Sequence, residues 1–216
     1  SWTQAAAIPI VYMVACDMLC IQGRLSAGEW LLVAGVTSGV GVACLQIGKA
    51  FGARVIGTSG ATTKLQALAK LGLDAAICSR GADFHERVLA ATGGQGANLV
   101  VNVVGGTVFA ECLRAMAVAG RLAQVGHVDR VQTAELDLGA LHAKRLTLFG
   151  VSSKTLKPAQ RQVIVDRVKS DLLPLFASGK LQPLVDRVFP FDEINAAKAY
   201  MQANSHTGKI VIAGAE

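Results

Sequence analysis

The chain has 216 residues, of which 52% are hydrophobic, 23 are glycine and 17% are charged. That composition excludes intrinsic disorder, and the length is enough for one domain or one and a half with a proper core. The net charge of +6 is scattered, with no basic run longer than Lys144-Arg145, and aromatics are only 5%. Such a surface suits an anionic ligand better than a nucleic acid, for which stacking platforms are scarce. No stretch approaches the ~18 uninterrupted apolar residues of a membrane span. The five cysteines form no C-x-x-C pair, so they read as free thiols of a reducing, cytoplasmic compartment.

Taken in chain order, Gln4–Leu19 reads as a helix. Trp30–Gly35 (WLLVAG) is a continuous apolar run ended by glycine, hence a buried strand, and Gly41–Phe51 has helical spacing. Strands are expected at Arg54–Thr58, Asp74–Cys78, Asn98–Val104, Arg121–Gly126 and Leu146–Val151. Helices are expected between them at Thr63–Leu71, Asp83–Ala91 and Thr107–Ala119. Strands alternating with helices imply parallel βαβ units with right-handed crossovers. The fold class is therefore α/β, a doubly wound six-stranded parallel sheet of order 3-2-1-4-5-6. A tail follows: helix Pro158–Ser178, strand Val185–Phe189, helix Asp192–Ala203 and strand Lys209–Ile212. It is not expected to extend the alternation with another clean crossover. The implied segments are a connecting helix over 1–26, a dinucleotide-binding domain over 27–153 and C-terminal helices and strands over 154–216.

The turn Gly35-Val-Thr-Ser-Gly39-Val-Gly41 follows the first strand and opens a helix. Small residues there let the backbone approach a pyrophosphate at the helix N-terminus, although the strict G-x-G-x-x-G is not met. The stretch Val55–Lys64 at the end of the second strand carries no Asp or Glu, the residue that would bond an NAD ribose. It carries hydroxyls and Lys64 instead, which suit a ribose 2′-phosphate and favour NADP(H) over NAD.

These residues resemble the medium-chain dehydrogenase/reductase superfamily, in its quinone oxidoreductase (zeta-crystallin-like) branch. The resemblance runs from Ala5–Leu19 through the AGVTSGVG turn, Gly52–Gly60, Thr92–Gly106, Gly120–Gly126, Leu141–Gly150 and Pro183–Pro190 to Gly208–Ile212. It implies a zinc-independent, NADPH-dependent oxidoreductase that reduces a quinone or an α,β-unsaturated carbonyl by direct hydride transfer. It also implies that this chain is the cofactor-binding portion of a longer reductase whose N-terminal GroES-like domain, against which the tail packs, lies outside it. The family pattern carries Thr37, Ser38, Gly39, Val40 and Gly41 to the pyrophosphate, and Ser59, Gly60, Lys64 and Ser79 to the 2′-phosphate. Asn102, Val104 and Gly105 fall beside the adenosine, and Gly126, His127, Phe149, Gly150 and Val151 beside the nicotinamide.

Departures from the pattern are specific. Ser79, followed by Arg80, stands where the family often has Tyr; Val14 stands where it often has Thr; and Ile10 stands where the zinc branch has a Cys ligand. No His/Cys cluster has metal-ligand spacing, and no catalytic residue is assigned. His127 reads either as a group facing the cofactor or as a polar loop residue. An enoyl reductase domain of a polyketide-type synthase is the alternative enzyme, suggested by Cys78–Phe84, Val88–Gly94 and Asn102. A non-catalytic NADPH-binding module is the alternative outside enzymes. The sixth strand is an apolar sheet edge, and the resemblance implies a homodimer through residues around 146–153.

Overall fold

The computed structural model describes residues 1–214. Six parallel strands form one sheet: β1 (Trp30–Ala34), β2 (Arg54–Ser59), β3 (Ala75–Cys78), β4 (Ala97–Asn102), β5 (Met116–Gln124) and β6 (Thr147–Gly150), in the order β3-β2-β1-β4-β5-β6. The expected topology is the observed one. Central β1 is buried at every position, as a strand covered on both faces must be. Its side chains alternate: Leu31 and Val33 join one core with Val55, Leu99 and Val101, while Trp30, Leu32 and Ala34 join the other with Ile56 and Val100.

The first core is closed by α2 (Pro9–Cys16), α3 (Gly39–Ala50) and α4 (Thr62–Ala69), through Val11, Ala15, Val42, Leu45, Leu65 and Leu68 among others. The second is closed by α5 (His85–Ala91) and α6 (Phe109–Arg114), through Val88, Cys112 and Leu113. The first helical stretch is broken, because Pro9 starts α2 and leaves α1 as the short Trp2–Ala6. It then runs beyond Leu19 as a π-helical turn, Asp17–Gln22.

Three expectations change. Helix over Thr107–Ala119 is correct only for Phe109–Arg114; residues from Met116 onward belong to β5. The Ala97 amide bonds Ala115 O at 2.8 Å, and Met116 pairs with Ala97 before a register shift. Burying that backbone in the sheet outweighs the helical preference of Ala and Met, and Ala119 takes φ +57° where the strand bulges. A helix absent from the sequence reading, α7 (Leu138–Ala143), starts on Asp137, whose carboxylate accepts from the Ala140 amide at 2.8 Å. The tail also differs. After α8 (Pro158–Arg167) and α9 (Leu173–Ala177), joined through a second π-helical turn, β7 (Val185–Pro190) and β8 (Lys209–Ala213) pair in parallel across α10 (Ile194–Gln202). This is a further βαβ crossover, but it forms its own two-stranded sheet instead of widening the first.

Candidate functional site

The carboxyl ends of the six strands form one rim, and the turn after β1 is its centre. Ser38 caps α3: its Oγ accepts from the Gly41 amide at 3.1 Å and donates to Gly35 O at 2.9 Å. The Gly39 and Val40 amides, at the start of this 12-residue helix, take no partner among the described residues. Two free N–H groups at the positive end of a helix dipole form an anion cradle. Gly41 is required by packing, since a Cβ there would fall on Gly35 O and within 2.6 Å of Val36 Cα. Val36, one of the positions where the strict motif has glycine, is buried and lies over Gly57, where a Cβ would come within 2.8 Å of it. The missing motif glycine is thus matched by a glycine on β2.

The tail reaches this turn. The Gly208 amide donates to Thr37 O at 3.0 Å, Gly208 pairs with Ser38 as an isolated bridge, and the aliphatic chain of Lys209 lies against Gly39. Thr37 Oγ1 and Ser59 Oγ are 3.3 Å apart, joining the ends of β1 and β2.

The residues that the sequence reading assigns to a 2′-phosphate have unequal fates. Ser59 and Gly60 sit together at the end of β2, and a Cβ on Gly60 would meet the Arg80 side chain at 3.1 Å. Lys64 does not stand free: its Nζ donates to Asn204 O at 2.5 Å and His206 O at 2.8 Å, tying α4 to the loop after α10. Burial lowers its pKa, against the opposing pull of Asp186. Ser79 is turned inward on its own loop, bonded to Gly81 O at 2.8 Å and to Asp83. Arg80 therefore offers the exposed cation beside Ser59 and Gly60. Its position directly after Ser79 was the available sequence signal.

Asn102 is fully buried and organises the end of β4. Its Oδ1 accepts from the amides of Val104 and Gly105 at 3.0 and 3.1 Å, and its Nδ2 donates to Gly105 O and Gln124 Oε1, both at 2.8 Å. All its polar capacity is internal, so it shapes the loop, and the loop backbone forms the wall. Gly105 has φ +133°, and a Cβ there would come within 2.6 Å of the Asp129 carboxyl carbon. Asp129 accepts from Thr107 and Val131. Burial raises its pKa, but these donors outweigh burial and hold it below the usual range. Gly126 lies against the Val103 backbone, where a side chain has no space.

At the ends of β5 and β6 a cavity of about 670 Å³ opens, lined by Gln124, His127, Gly150, Val151 and Ser152 and, from the helices, by Asp17, Gln22 and Gln160, among others. Of the five residues expected here, His127, Gly150 and Val151 line it, whereas Phe149 packs into the first core. Val14 and Met13 line a small adjoining pocket with Asp17 and Arg161. Asp17 and Gln22 escaped the sequence reading, although an aspartate inside the apolar run Pro9–Leu19 was the signal. Ile10 is 73% exposed, and among the described residues no group of three or more His, Cys, Asp or Glu side chains is placed to hold a metal ion. These residues do not by themselves make a zinc site.

Comparison with known proteins fits this geometry. The chain is 34% identical over 212 residues to a component of the phenolphthiocerol/phthiocerol polyketide synthase of Mycobacterium tuberculosis, a match covering 97% of this chain and 10% of that protein. It is 32% identical to the highly reducing polyketide synthase easB of Emericella nidulans, over 98% of this chain and 8% of that one. The chain thus spans about a tenth of the curated relatives it matches. Among solved structures, the CurK enoyl reductase superposes with a TM-score of 0.83 at 27% identity, covering 100% of this chain and 63% of that one. An NAD-dependent alcohol dehydrogenase superposes with a TM-score of 0.85 at 30% identity, covering 98% and 59%. The family model for zinc-binding dehydrogenases matches residues 39–170, from the start of α3 through the sixth strand and past α8. The chain belongs to the zinc-binding dehydrogenase family, with the cofactor-domain fold of the medium-chain dehydrogenase/reductases.

Proposed function

We propose that this chain is the cofactor-binding portion of an NADPH-dependent, zinc-independent reductase of α,β-unsaturated carbonyl compounds. The observation that carries the reading is the continuous rim from the free amides of Gly39 and Val40 to the cavity at Gln124, His127 and Gly150–Ser152. An extended dinucleotide fits it: pyrophosphate on the α3 N-terminus, adenosine toward Ser59 and Arg80, nicotinamide toward the cavity. Bound there, the nicotinamide supplies hydride. The protein's part is to orient the two reactants and to exclude water. The polyketide synthase relatives and the enoyl reductase neighbour favour an enoyl acceptor over the quinone that the sequence alone put first.

NADPH is favoured because no acid stands at the end of β2, while Ser59, Gly60 and Arg80 converge there. Titration by cofactor fluorescence should show NADPH binding at least several-fold tighter than NADH. Arg80→Ala should cost NADPH about 1.5–3 kcal/mol, the scale of a hydrogen bond to a charged group, and leave NADH unchanged. Lys64→Ala should cost less, because its ammonium already serves two carbonyls. Equal affinities for the two cofactors would overturn the preference. Oxidation of NADPH by an enoyl thioester and by a quinone, compared side by side, tests the acceptor; faster turnover of the quinone would overturn the enoyl reading. A homodimer through the β6 edge belongs to the same reading, and a monomer in light scattering at tens of micromolar would defeat it.

A further inference from the structure

Asp17 is a carboxylate in an unusual place. It is 7% exposed, on a helix whose neighbouring residues Cys16, Met18 and Leu19 are buried in the first core. The helix changes pitch at this residue, and the π-helical turn Asp17–Gln22 brings residue i+5 over residue i. Gln22 Nε2 accordingly donates to Asp17 Oδ2 at 3.0 Å. Asp17 Oδ1 takes no hydrogen bond among the described residues, yet it is not sealed from solvent, and the residue lines the 670 Å³ cavity. The fold thus uses one carboxylate oxygen and leaves the other open to the cavity.

The charged and titratable groups around it are few. His127 faces the same cavity from the loop after β5, Arg161 reaches the small adjoining pocket from α8, and Cys16 precedes it on its own helix. Among the described residues no cation comes within ion-pair distance. Burial therefore raises its pKa, and the single bond from Gln22 only partly opposes the rise.

We propose that Asp17 is the proton donor of this cavity, with Gln22 as the positioning residue that holds it. The proposal rests on the reductase reading. With reduced cofactor bound, the acceptor would gain a hydride at its β-carbon, leaving the nicotinamide oxidised, and the C=C electron pair would shift to form an enolate. The Asp17 O–H bond breaks, its proton forms the new C–H bond at the α-carbon, and its electrons remain on the carboxylate. The carboxylate regains a proton from water at the open side of the cavity. The balance is one hydride and one proton added across the double bond. A raised pKa helps a carboxyl group to act as a general acid, and burial beside one neutral donor raises that of Asp17.

The test uses Asp17→Asn, Gln22→Leu and His127→Gln. NADPH binding by Asp17→Asn should match wild type, showing a folded site. Single-turnover reduction of an enoyl thioester should fall about 10²–10³-fold in Asp17→Asn, the scale of lost general acid catalysis. The wild-type rate should decline as pH rises through the Asp17 pKa, and Asp17→Asn should lose that limb. Gln22→Leu should move the limb to higher pH, because it removes a donor that favours the charged form. Independently of turnover, the 13C carboxyl resonance missing from Asp17→Asn should titrate above those of the exposed aspartates. An Asp17→Asn protein with wild-type rate and pH profile overturns the proposal alone, as does a limb that vanishes in His127→Gln instead. A carboxyl that titrates with the exposed aspartates also overturns it. A wild-type protein that binds NADPH and reduces no acceptor overturns the reductase reading, and the proposal with it.

Discussion

Two buried carboxylates lie on opposite faces of the sheet, and their surroundings differ. Glu111, on α6 in the second layer, is 2% exposed and has four partners. Three are hydrogen bonds, from the amides of Phe84 and His85 at 2.8 and 2.9 Å and from His85 Nδ1 at 3.0 Å, and the fourth is an ion pair with Arg114 Nε at 3.1 Å. It caps α5, which begins at His85 and has no cap of its own, and it places an anion at that helix's positive end. Burial pushes the Glu111 carboxyl up, but the His85 and Phe84 donors outweigh burial and hold it below the usual range. Asp17, in the first layer, has a single neutral donor, and burial wins. The contrast separates a carboxylate that builds the fold from one that the fold leaves with spare capacity beside a cavity.

Breaking Glu111 should have the largest effect. Glu111→Ala leaves the Phe84 and His85 amides without their acceptor and should destabilise the fold by about 3–4 kcal/mol, measured by urea denaturation. Glu111→Gln, which keeps one acceptor oxygen, should cost roughly half of that. A loss under about 1 kcal/mol for the alanine variant would mean that α5 is held by its packing on the sheet, and that the cap is incidental.

The pH dependences should run in opposite directions. Glu111 has a folded pKa below its unfolded value, so its contribution is complete above the unfolded pKa of about 4.3 and is lost as pH falls through the folded value. Asp17 has a folded pKa above its unfolded value of about 3.9, so the folded state holds the extra proton. Its ionisation costs stability as pH rises from the unfolded to the folded pKa, and above that the cost is constant. Denaturation midpoints from pH 3 to pH 8 for wild type and the two carboxamide variants should therefore diverge from wild type in opposite senses. Parallel curves would erase the distinction between the two sites.

The smallest effect is expected for Asp17→Asn on stability. The variant keeps an acceptor for Gln22 and removes a buried carboxyl whose ionisation costs stability, so at neutral pH it should be neutral or more stable by up to about 1 kcal/mol. A gain in stability together with the loss of rate described above is the signature of a functional carboxylate. A clear loss of stability would make Asp17 a second structural group.

The sheet was legible because its information is local. Uninterrupted apolar runs, glycine ends and intervening helical spacing specify six βαβ strands, and handedness then leaves few topologies. The turn at Gly35–Gly41 was legible for the same reason, since Gly41 and the Ser38 cap act within a few residues. What was misread depends on partners far along the chain. Met116–Ala119 is strand because β4 offers it a backbone ladder, and β7 and β8 are parallel because they meet across α10. Lys64 gives its charge to carbonyls 140 and 142 residues away, leaving Arg80 as the cation beside Ser59 and Gly60. Asp17 carries no motif. Its place on a cavity follows from the ends of β5 and β6 meeting a helix that precedes them by about a hundred residues. The order of residues was enough for the sheet and the glycine turn after β1, because periodicity and backbone sterics act over short range. Which polar groups are spent on the fold, and which remain for chemistry, was set by packing alone, because hydrogen-bond capacity is allotted by whichever distant groups come into reach.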